Sequence, residues 1–123
     1  VVMSTLMGAE KGCPFCQLVM DNQVEQIGVS GVYHFEPLNP VTPGHRLLIP
    51  AFHYEDAAEA PSATGSVFEW AAWWADKKGE DFNLIVNAGP NASQTVRHLH
   101  VHYVPRREGD GLTLPWTGQE DKP

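Results

Sequence analysis

The chain has 123 residues, of which 42% are hydrophobic, and this favours a single domain over residues 1–123 with a buried core. The formal net charge of −7, from 8 Lys+Arg against 15 Asp+Glu, argues against a nucleic-acid partner, which would need a basic face. No apolar run approaches the ~20 residues that span a bilayer, and no secretory signal pattern opens the sequence. We therefore expect a cytoplasmic protein without membrane contact.

The first part of the chain combines a cysteine pair with a short helix. Residues 1–12 are expected to be a flexible start. Cys13 and Cys16, in CPFC, are spaced for a metal chelate or a redox pair and not for a disulfide that staples the fold. A pair of buried free cysteines is the alternative. The run QLVMD (17–21) is predicted to form a short helix.

Three short strands are predicted in the middle of the chain, at VYHFEP (32–37), HRLLIP (45–50) and FNLIVN (82–87). The loop LNPVTPGH joins the first two strands and is rich in proline and glycine, so we expect tight turns there. Short loops between consecutive strands indicate antiparallel pairing.

One substantial helix is predicted between the second and third of these strands. Ser66 and Glu69 fit a capping box at its start, and Gly79 lies where it would stop. The apolar residues between them recur at helical spacing. They are Val67, Trp70, Ala71 and Trp74. The chain is thus predicted to be an α+β domain with an antiparallel sheet of about five strands, one main helix and a short N-terminal helix.

The segment HLHVHYVP (98–105) places three of the six histidines at alternating positions. In a β-strand, His98, His100 and His102 would share one face, and the apolar residues between them would share the other. Three neighbouring imidazoles can ligate a metal, hold a phosphate, or supply a nucleophile. A half-exposed strand that is merely rich in histidine is the alternative, which the strict alternation disfavours.

Neutral hydrogen-bonding groups precede the histidine segment. Asn87 ends the preceding strand, and Ser93, Gln94 and Thr95 follow in the next loop. Hydroxyl and amide groups beside imidazoles suit a phosphate. A simple turn would use the same residue types.

Taken together, these motifs resemble the histidine triad (HIT) family. HLHVHYV fits its His-x-His-x-His-x-x motif, and PVTPGHRLLIPAFH, upstream, is similar to its P-V-x-P-G-H-φ-φ-φ-φ-P-x-x-H segment, in which φ is apolar. SQTVRHLHVHYVPRREGD resembles the fragile histidine triad branch, and CPFC resembles members that carry zinc there, including bacterial proteins and galactose-1-phosphate uridylyltransferase. The similar segments run from Cys13 to about Asp110.

The resemblance implies a homodimer with a HIT-like fold, in which each subunit hydrolyses or transfers a nucleotide at its α-phosphate. His100 would be the nucleophile, Gln94 would orient the bridging phosphate or leaving group, and His45 would shape the phosphate pocket. The phosphate oxygens would be bound by His102 and by the polar loop residues. These are Asn87, Ser93, Gln94 and Thr95.

The zinc-bearing members also imply a structural Cys₂His₂ zinc site with no redox role. Its ligands would be Cys13, Cys16, His53 and His98. Without zinc, His98 would be a hydrogen-bonded strand residue. A catalytic zinc held by all three triad histidines is disfavoured, because alternate strand residues lie about 6–7 Å apart.

The expected substrates are purine nucleotides that contain adenosine, as dinucleoside polyphosphates, nucleoside phosphoramidates or aminoacyl adenylates. Mg²⁺ would accompany a polyphosphate. Pro37 stands where the family often has an Asp or Asn that binds the ribose, so the nucleotide preference stays open. In the tail (107–123), Trp116 would either close a pocket or pack on the surface. A zinc-stabilised nucleotide-binding module without turnover is the alternative function.

Overall fold

The computed structural model describes residues 8–119 of the chain. A five-stranded antiparallel sheet in the order β1-β2-β3-β5-β4 forms its centre, which confirms the predicted α+β class. No helix among the described residues is long and apolar enough to cross a membrane. The elements are α1 (Pro14–Met20), β1 (Glu25–Gln26), β2 (Val32–Phe35), β3 (Arg46–Pro50), α2 (Pro61–Asp76), β4 (Phe82–Val86), a 3₁₀ turn (Pro90–Ala92) and β5 (Val101–Pro105).

The sheet has an apolar cluster on each face, because side chains alternate along its strands. On one face, Leu48 of β3 packs with Val101 and Tyr103 of β5 beneath α2. On the other face, Leu47 and Ile49 pack with the N-terminal segment. That segment contributes Cys13, Phe15 and Cys16. The N-terminal segment thus covers the face opposite α2, beside the histidines.

The predicted capping box is wrong. Helix α2 begins at Pro61 after Ala60, and no side chain caps it, so Ser66 lies inside the helix. The proline explains the earlier start, because its fixed φ suits the first helical turn, where the missing N–H costs nothing. Gly79 adopts φ +67 just beyond the helix end at Asp76.

Helix α1 also begins earlier than predicted, at Pro14 instead of residue 17. The Cys13 Sγ accepts a hydrogen bond from the Cys16 N–H at 3.4 Å, which caps the helix. Cysteine is an uncommon cap, so the sequence did not signal it. The capping interaction holds the Cys13 sulfur against the backbone of Cys16.

The histidine segment forms a shorter strand than predicted, because β5 begins only at Val101. The Leu99 N–H donates to the Tyr54 carbonyl at 2.7 Å, so His98 and His100 precede the β3–β5 ladder. The predicted apolar row is confirmed, since Leu99, Val101 and Tyr103 are all fully buried. The loop contact with Tyr54 is a tertiary interaction that alternation alone does not reveal.

Candidate active site and metal centre

His45 and His102 meet where the loop before β3 packs against the centre of the sheet. Gly44 precedes His45 with φ +89, and a Cβ there would lie 3.1 Å from the Pro105 Cγ. Only glycine accommodates this conformation without strain. The Pro-Gly-His sequence therefore turns the chain so that the buried His45 ring faces β5.

The hydrogen bonds of His45 and His102 define their tautomers. The Val41 N–H donates to the His45 Nδ1 at 3.0 Å, so a neutral His45 carries its proton on Nε2. That Nε2 lies 3.0 Å from the His102 Nδ1 and donates to it. The His102 proton is therefore on Nε2. Burial lowers the pKa of both rings, that of His102 to about 4, so His102 offers a neutral N–H donor.

His100 is oriented in the opposite sense. Its Nδ1 donates to the backbone carbonyl of His98 at 2.7 Å, which leaves the Nε2 lone pair available. Burial lowers the pKa of His100, and its ring packs against Phe15 and lies 5.2 Å from the His102 ring, centre to centre. A neutral imidazole with a bare Nε2 beside an N–H donor can attack an electrophile whose charge the donor stabilises.

His98 links this pair to a cluster of sulfur and nitrogen atoms. Its side chain is fully buried, and its Nε2 donates to the Pro50 carbonyl at 3.1 Å. Its Nδ1 therefore carries a lone pair, and it lies 3.4 Å from the Cys13 Sγ and 3.6 Å from the Cys16 Sγ. The imidazole of His98 therefore faces the two cysteine sulfurs, whereas its backbone carbonyl accepts the hydrogen bond from the His100 Nδ1.

The predicted metal ligands lie close enough together to form a metal site. One ligand atom from each of Cys13, Cys16, His53 and His98 lies within 4.8 Å of all the others. The Cys16 Sγ is also 3.5 Å from the His53 Nδ1. Tetrahedral zinc, with Zn–S of about 2.3 Å and Zn–N of about 2.0–2.1 Å, would place sulfur and nitrogen roughly 3.5 Å apart. The observed separations fit a tetrahedral ion.

Surrounding groups orient these ligands. The His53 Nε2 lies 3.2 Å from carboxylate oxygens of both Glu10 and Glu55, so its Nδ1 lone pair faces the Cys16 sulfur. The Glu10 N–H donates to the Cys16 Sγ at 3.3 Å. Carboxylates behind ligating histidines and amides that donate to thiolates are the usual supports of a metal centre.

A cavity of about 360 Å³ opens beside His102. Its lining includes His45, Asn87, His102 and Arg106, together with the tail segment 111–114. The sequence did not predict that this segment forms a wall. The segment is anchored by Asp110, whose carboxylate accepts hydrogen bonds from Arg106. This contact could not be predicted, because two charged residues four positions apart in a loop are not a distinctive sequence pattern.

The other predicted phosphate-binding residues do not line this cavity. The Gln94 side chain is buried and donates to the carbonyls of Glu55 and Val96, at 2.8 and 3.0 Å. Ser93 is exposed after the 3₁₀ turn, and Thr95 is exposed beside Cys13 in a separate depression.

Two positions that the sequence left open also lie outside the cavity. Trp116 is exposed at 61% and does not line it, although residues 111–114 of the same tail do. Pro37 is half-buried beyond the end of β2 and is likewise absent from the lining. The cavity is therefore built by the tail nearest β5 and not by the tryptophan.

The fold and this histidine arrangement define the class of protein. A family model described as the HIT domain matches residues 29–109, and the chain belongs to that family. A HIT family hydrolase from Clostridium thermocellum superposes with a TM-score of 0.71 at 25% identity, over 85% of this chain and 99% of that one. A HIT family protein from Bacillus anthracis gives 0.68 at 31% identity, over 89% and 84%. The predicted HIT-like fold is confirmed.

Some of the similar proteins have names that state an activity. An adenosine 5'-monophosphoramidase of Saccharomyces cerevisiae is 28% identical over 96% of this chain and 78% of its own length. An adenylylsulfatase of Arabidopsis thaliana is 38% identical over 60% of this chain and 41% of its own length. These relatives support a nucleotide hydrolase activity at the level of the family.

Lowering the pH should leave His102 neutral well below the usual histidine range. The folded pKa is about 4 against 6.5 for an ordinary histidine, so the unfolded chain takes up this proton first. Stability therefore decreases as the pH falls from 6.5 towards 4. Long-range ¹H–¹⁵N spectra at decreasing pH should show a neutral ring protonated at Nε2, with the urea-unfolded chain as reference. A midpoint near 6.5, or a proton on Nδ1, would contradict the arrangement.

Proposed function

We propose that this protein hydrolyses or transfers nucleotides at the α-phosphate through a covalent nucleotidyl intermediate on His100. The observation that carries the proposal is the 2.7 Å hydrogen bond from His100 Nδ1 to the His98 carbonyl. It leaves Nε2 as the nucleophilic atom beside the His102 N–H donor. The named activities of the relatives make an adenosine-containing substrate the first choice.

The reaction proceeds in two balanced steps. The Nε2 lone pair of His100 forms a bond to the α-phosphorus while the bond to the leaving group breaks, and the leaving group takes the bonding electrons and a proton from solvent. The imidazolium formed keeps its Nδ1 proton, which the His98 carbonyl stabilises. Water then attacks phosphorus and loses a proton, and the P–N electrons return to Nε2. A different acceptor in place of water gives transfer.

The charge that develops on the phosphate oxygens is met by neutral donors. The His102 Nε2–H is held outward by His45, and the Asn87 side chain lines the same cavity. Ser93 and Thr95 remain predicted phosphate contacts, which requires their exposed loop to approach the site on binding. Gln94 remains the predicted residue for orienting the leaving group, and its amide would have to exchange its present carbonyl partners.

We assign the metal site to zinc in a structural role. Two thiolates and two imidazoles in a tetrahedral arrangement leave no open coordination position. Bound zinc would tie the N-terminal segment to the residue that orients His100. A Mg²⁺ ion with a polyphosphate substrate remains a prediction from the family resemblance.

Strand β4 supports the predicted homodimer. It lies at the edge of the sheet, and its sequence FNLIV carries no charge and is half-buried throughout. Uncharged edge strands are templates for pairing with a second chain. We infer that two copies pair through β4 to continue the sheet.

Substituting His100 with Asn should lower turnover by roughly 10³-fold or more while the fold is retained, because the nucleophile is lost. AMP release from an adenosine phosphoramidate gives the rate, and mass spectrometry of acid-sensitive adducts detects the nucleotidyl protein. His34→Asn is the matched control, since His34 lies in a different depression. If His100→Asn retains turnover, the nucleophile is misassigned. If the wild type lacks turnover and adduct but binds the nucleotide, the alternative function as a nucleotide-binding module is favoured.

Removing the metal should lower the thermal midpoint by roughly 10 °C or more, because binding energy at a structural site contributes to folding. Calorimetry with and without a strong chelator measures the change, and added zinc should restore it. Cys16→Ser should have the lower midpoint already and respond little to the chelator. Equal midpoints for the wild type in both conditions would exclude a structural metal.

Raising the protein concentration should slow amide hydrogen exchange in β4 if two chains pair there. Sedimentation should give twice the 13.6 kDa mass of one chain. A monomer mass at every concentration would contradict the β4 dimer.

A further inference from the structure

A second pocket, of about 270 Å³, lies on the side of the sheet that α2 covers, and we call it the α2-side pocket. Arg46 of β3 is paired with Tyr103 of β5, and both side chains line the pocket. His102 precedes Tyr103 on the same strand, so its side chain points to the other face of the sheet. The α2-side pocket is therefore separated from the histidine site by the sheet. Its polar lining residues are Glu25, His34, Arg46, Lys78, Glu80 and Tyr103.

The guanidinium of Arg46 is held in place by His34 of the neighbouring strand β2. The Arg46 Nε donates to the His34 Nδ1 at 3.2 Å, and the Arg46 Nη2 lies 2.8 Å from the same nitrogen. The His34 ring in turn packs on Trp74, with the ring centres 4.8 Å apart. Within residues 8–119, the Arg46 Nη1 forms no hydrogen bond. Arg46 is thus oriented but keeps free donors.

A second cation, Lys78, lies at the same pocket just beyond the end of α2. Its Nζ is 4.7 Å from the centre of the Trp74 ring, and it forms no ion pair with a carboxylate in the described part of the chain. Burial lowers the pKa of His34, and the charges of Arg46 and Lys78 lower that pKa further, against an opposing effect of Glu25. Both cations therefore act on the same region of the pocket.

The two carboxylates of the pocket are held in different ways. Glu80 accepts a hydrogen bond from the Tyr103 hydroxyl and lies 3.8 Å from the Arg107 Nη2, so its charge is partly matched by these residues. Glu25 contacts Arg46 through one pair of atoms, Oε2 and Nη2, at 3.1 Å. The Glu25 side chain is 73% exposed, and ion pairs of exposed side chains are weak. Glu25 is therefore an anion that a ligand can displace from Arg46.

We propose that the α2-side pocket is a second binding site, separate from the histidines, that takes a phosphate group. Arg46 and Lys78 bind the phosphate oxygens, and the phosphate replaces the Glu25 carboxylate on Arg46. A phosphate group carries a charge of about −1.5 to −2 near neutral pH, so it gains more from two cations than one carboxylate does. The free Nη1 allows Arg46 to bind the phosphate through two parallel hydrogen bonds.

This site does not depend on the proposed function. Its lining includes none of the three triad histidines and no residue of β4, the strand proposed to pair two chains. The pocket therefore stays accessible in a β4 dimer as far as its own residues are concerned, and its occupant is tested by binding and not by turnover.

Inorganic phosphate is the first probe, added to the ¹⁵N-labelled protein at constant ionic strength. The His34 side-chain signals should shift and saturate, and the pKa of His34 should rise, because an anion beside the ring favours its charged form. The His102 signals report on the opposite face of the sheet in the same spectra. Shifts of the His102 signals alone, or shifts at His34 that do not saturate, would overturn the proposal.

Lys78→Glu tests the second cation. The affinity measured at His34 should fall by roughly tenfold or more, because the substitution reverses one of the two charges that bind the phosphate. Lys77→Glu is the matched control, since Lys77 is also exposed but lies over the Trp73 ring and does not line the pocket. It should keep the wild-type affinity. Equal losses in both variants would show a general charge effect and refute the site.

Glu25→Gln tests the displacement. Phosphate should bind severalfold more tightly to this variant, because no carboxylate then competes for Arg46. Glu69→Gln removes the same charge at an exposed position of α2 outside the lining, and it should keep the wild-type affinity. Unchanged or weaker binding by Glu25→Gln would contradict the proposal.

Glycerol 3-phosphate distinguishes the two sources of a phosphate group. Binding at least as tight as that of inorganic phosphate would assign the pocket to phosphate monoesters, and weaker binding would assign it to inorganic phosphate. If neither compound shifts the His34 signals, the pocket is not a phosphate site, and the His100 mechanism is unaffected.

Discussion

The carbonyl of His98 and the ring of the same residue are the contacts on which the site depends. The carbonyl accepts the His100 Nδ1 proton, and the ring is fixed between the Pro50 carbonyl and the two cysteine sulfurs. Because the ring is fully buried, it cannot rotate without disturbing its neighbours. The order of the N-terminal segment is thereby linked to the orientation of His100, the proposed nucleophile, and a metal ion would strengthen that link.

In the proposed mechanism, neutral imidazoles explain how an acidic protein holds a phosphate. The chain has a net charge of −7, and burial lowers the pKa values of His45, His100 and His102. Hydrogen bonds, and not charges, decide which ring nitrogen carries the proton. The Val41 N–H fixes the tautomer of His45, and the His98 carbonyl fixes that of His100. In the proposed mechanism, directed N–H groups therefore bind the phosphate, and the lowered pKa keeps His100 unprotonated and nucleophilic near neutral pH.

Sequence predicted the parts of this structure that depend on local pattern. The antiparallel α+β class followed from short strands with short loops, and the spacing of Cys13 and Cys16 indicated a metal chelate. The resemblance to the HIT family added His53 and His98, which the fold does bring close to the two cysteines. The buried row of Leu99, Val101 and Tyr103 followed from alternation. The fold class, the cysteine pair and the buried row each rest on a periodicity or a spacing that neighbouring residues carry.

The features that sequence missed depend on contacts between distant segments. The late start of β5 results from the bond between Leu99 and Tyr54, and the early start of α2 results from a proline that overrides a better-looking cap at Ser66. The Gln94 amide donates hydrogen bonds to the carbonyls of Glu55 and Val96, and no sequence motif predicts these contacts. The wall formed by residues 111–114 could not be predicted either. The ion pair between Arg106 and Asp110 anchors this segment, but only the folded structure shows that the segment lines a cavity.

The tautomer of His100 tests the account most directly. In the ¹⁵N-labelled, zinc-loaded protein at neutral pH, long-range ¹H–¹⁵N spectra should show a neutral His100 ring with its proton on Nδ1 and an unprotonated Nε2. Chelation of the zinc should broaden this signal or mix the tautomers, because the His98 carbonyl loses its anchor. A proton on Nε2 in the zinc-loaded protein would contradict the account, since the atom assigned to attack phosphorus would then have no free lone pair.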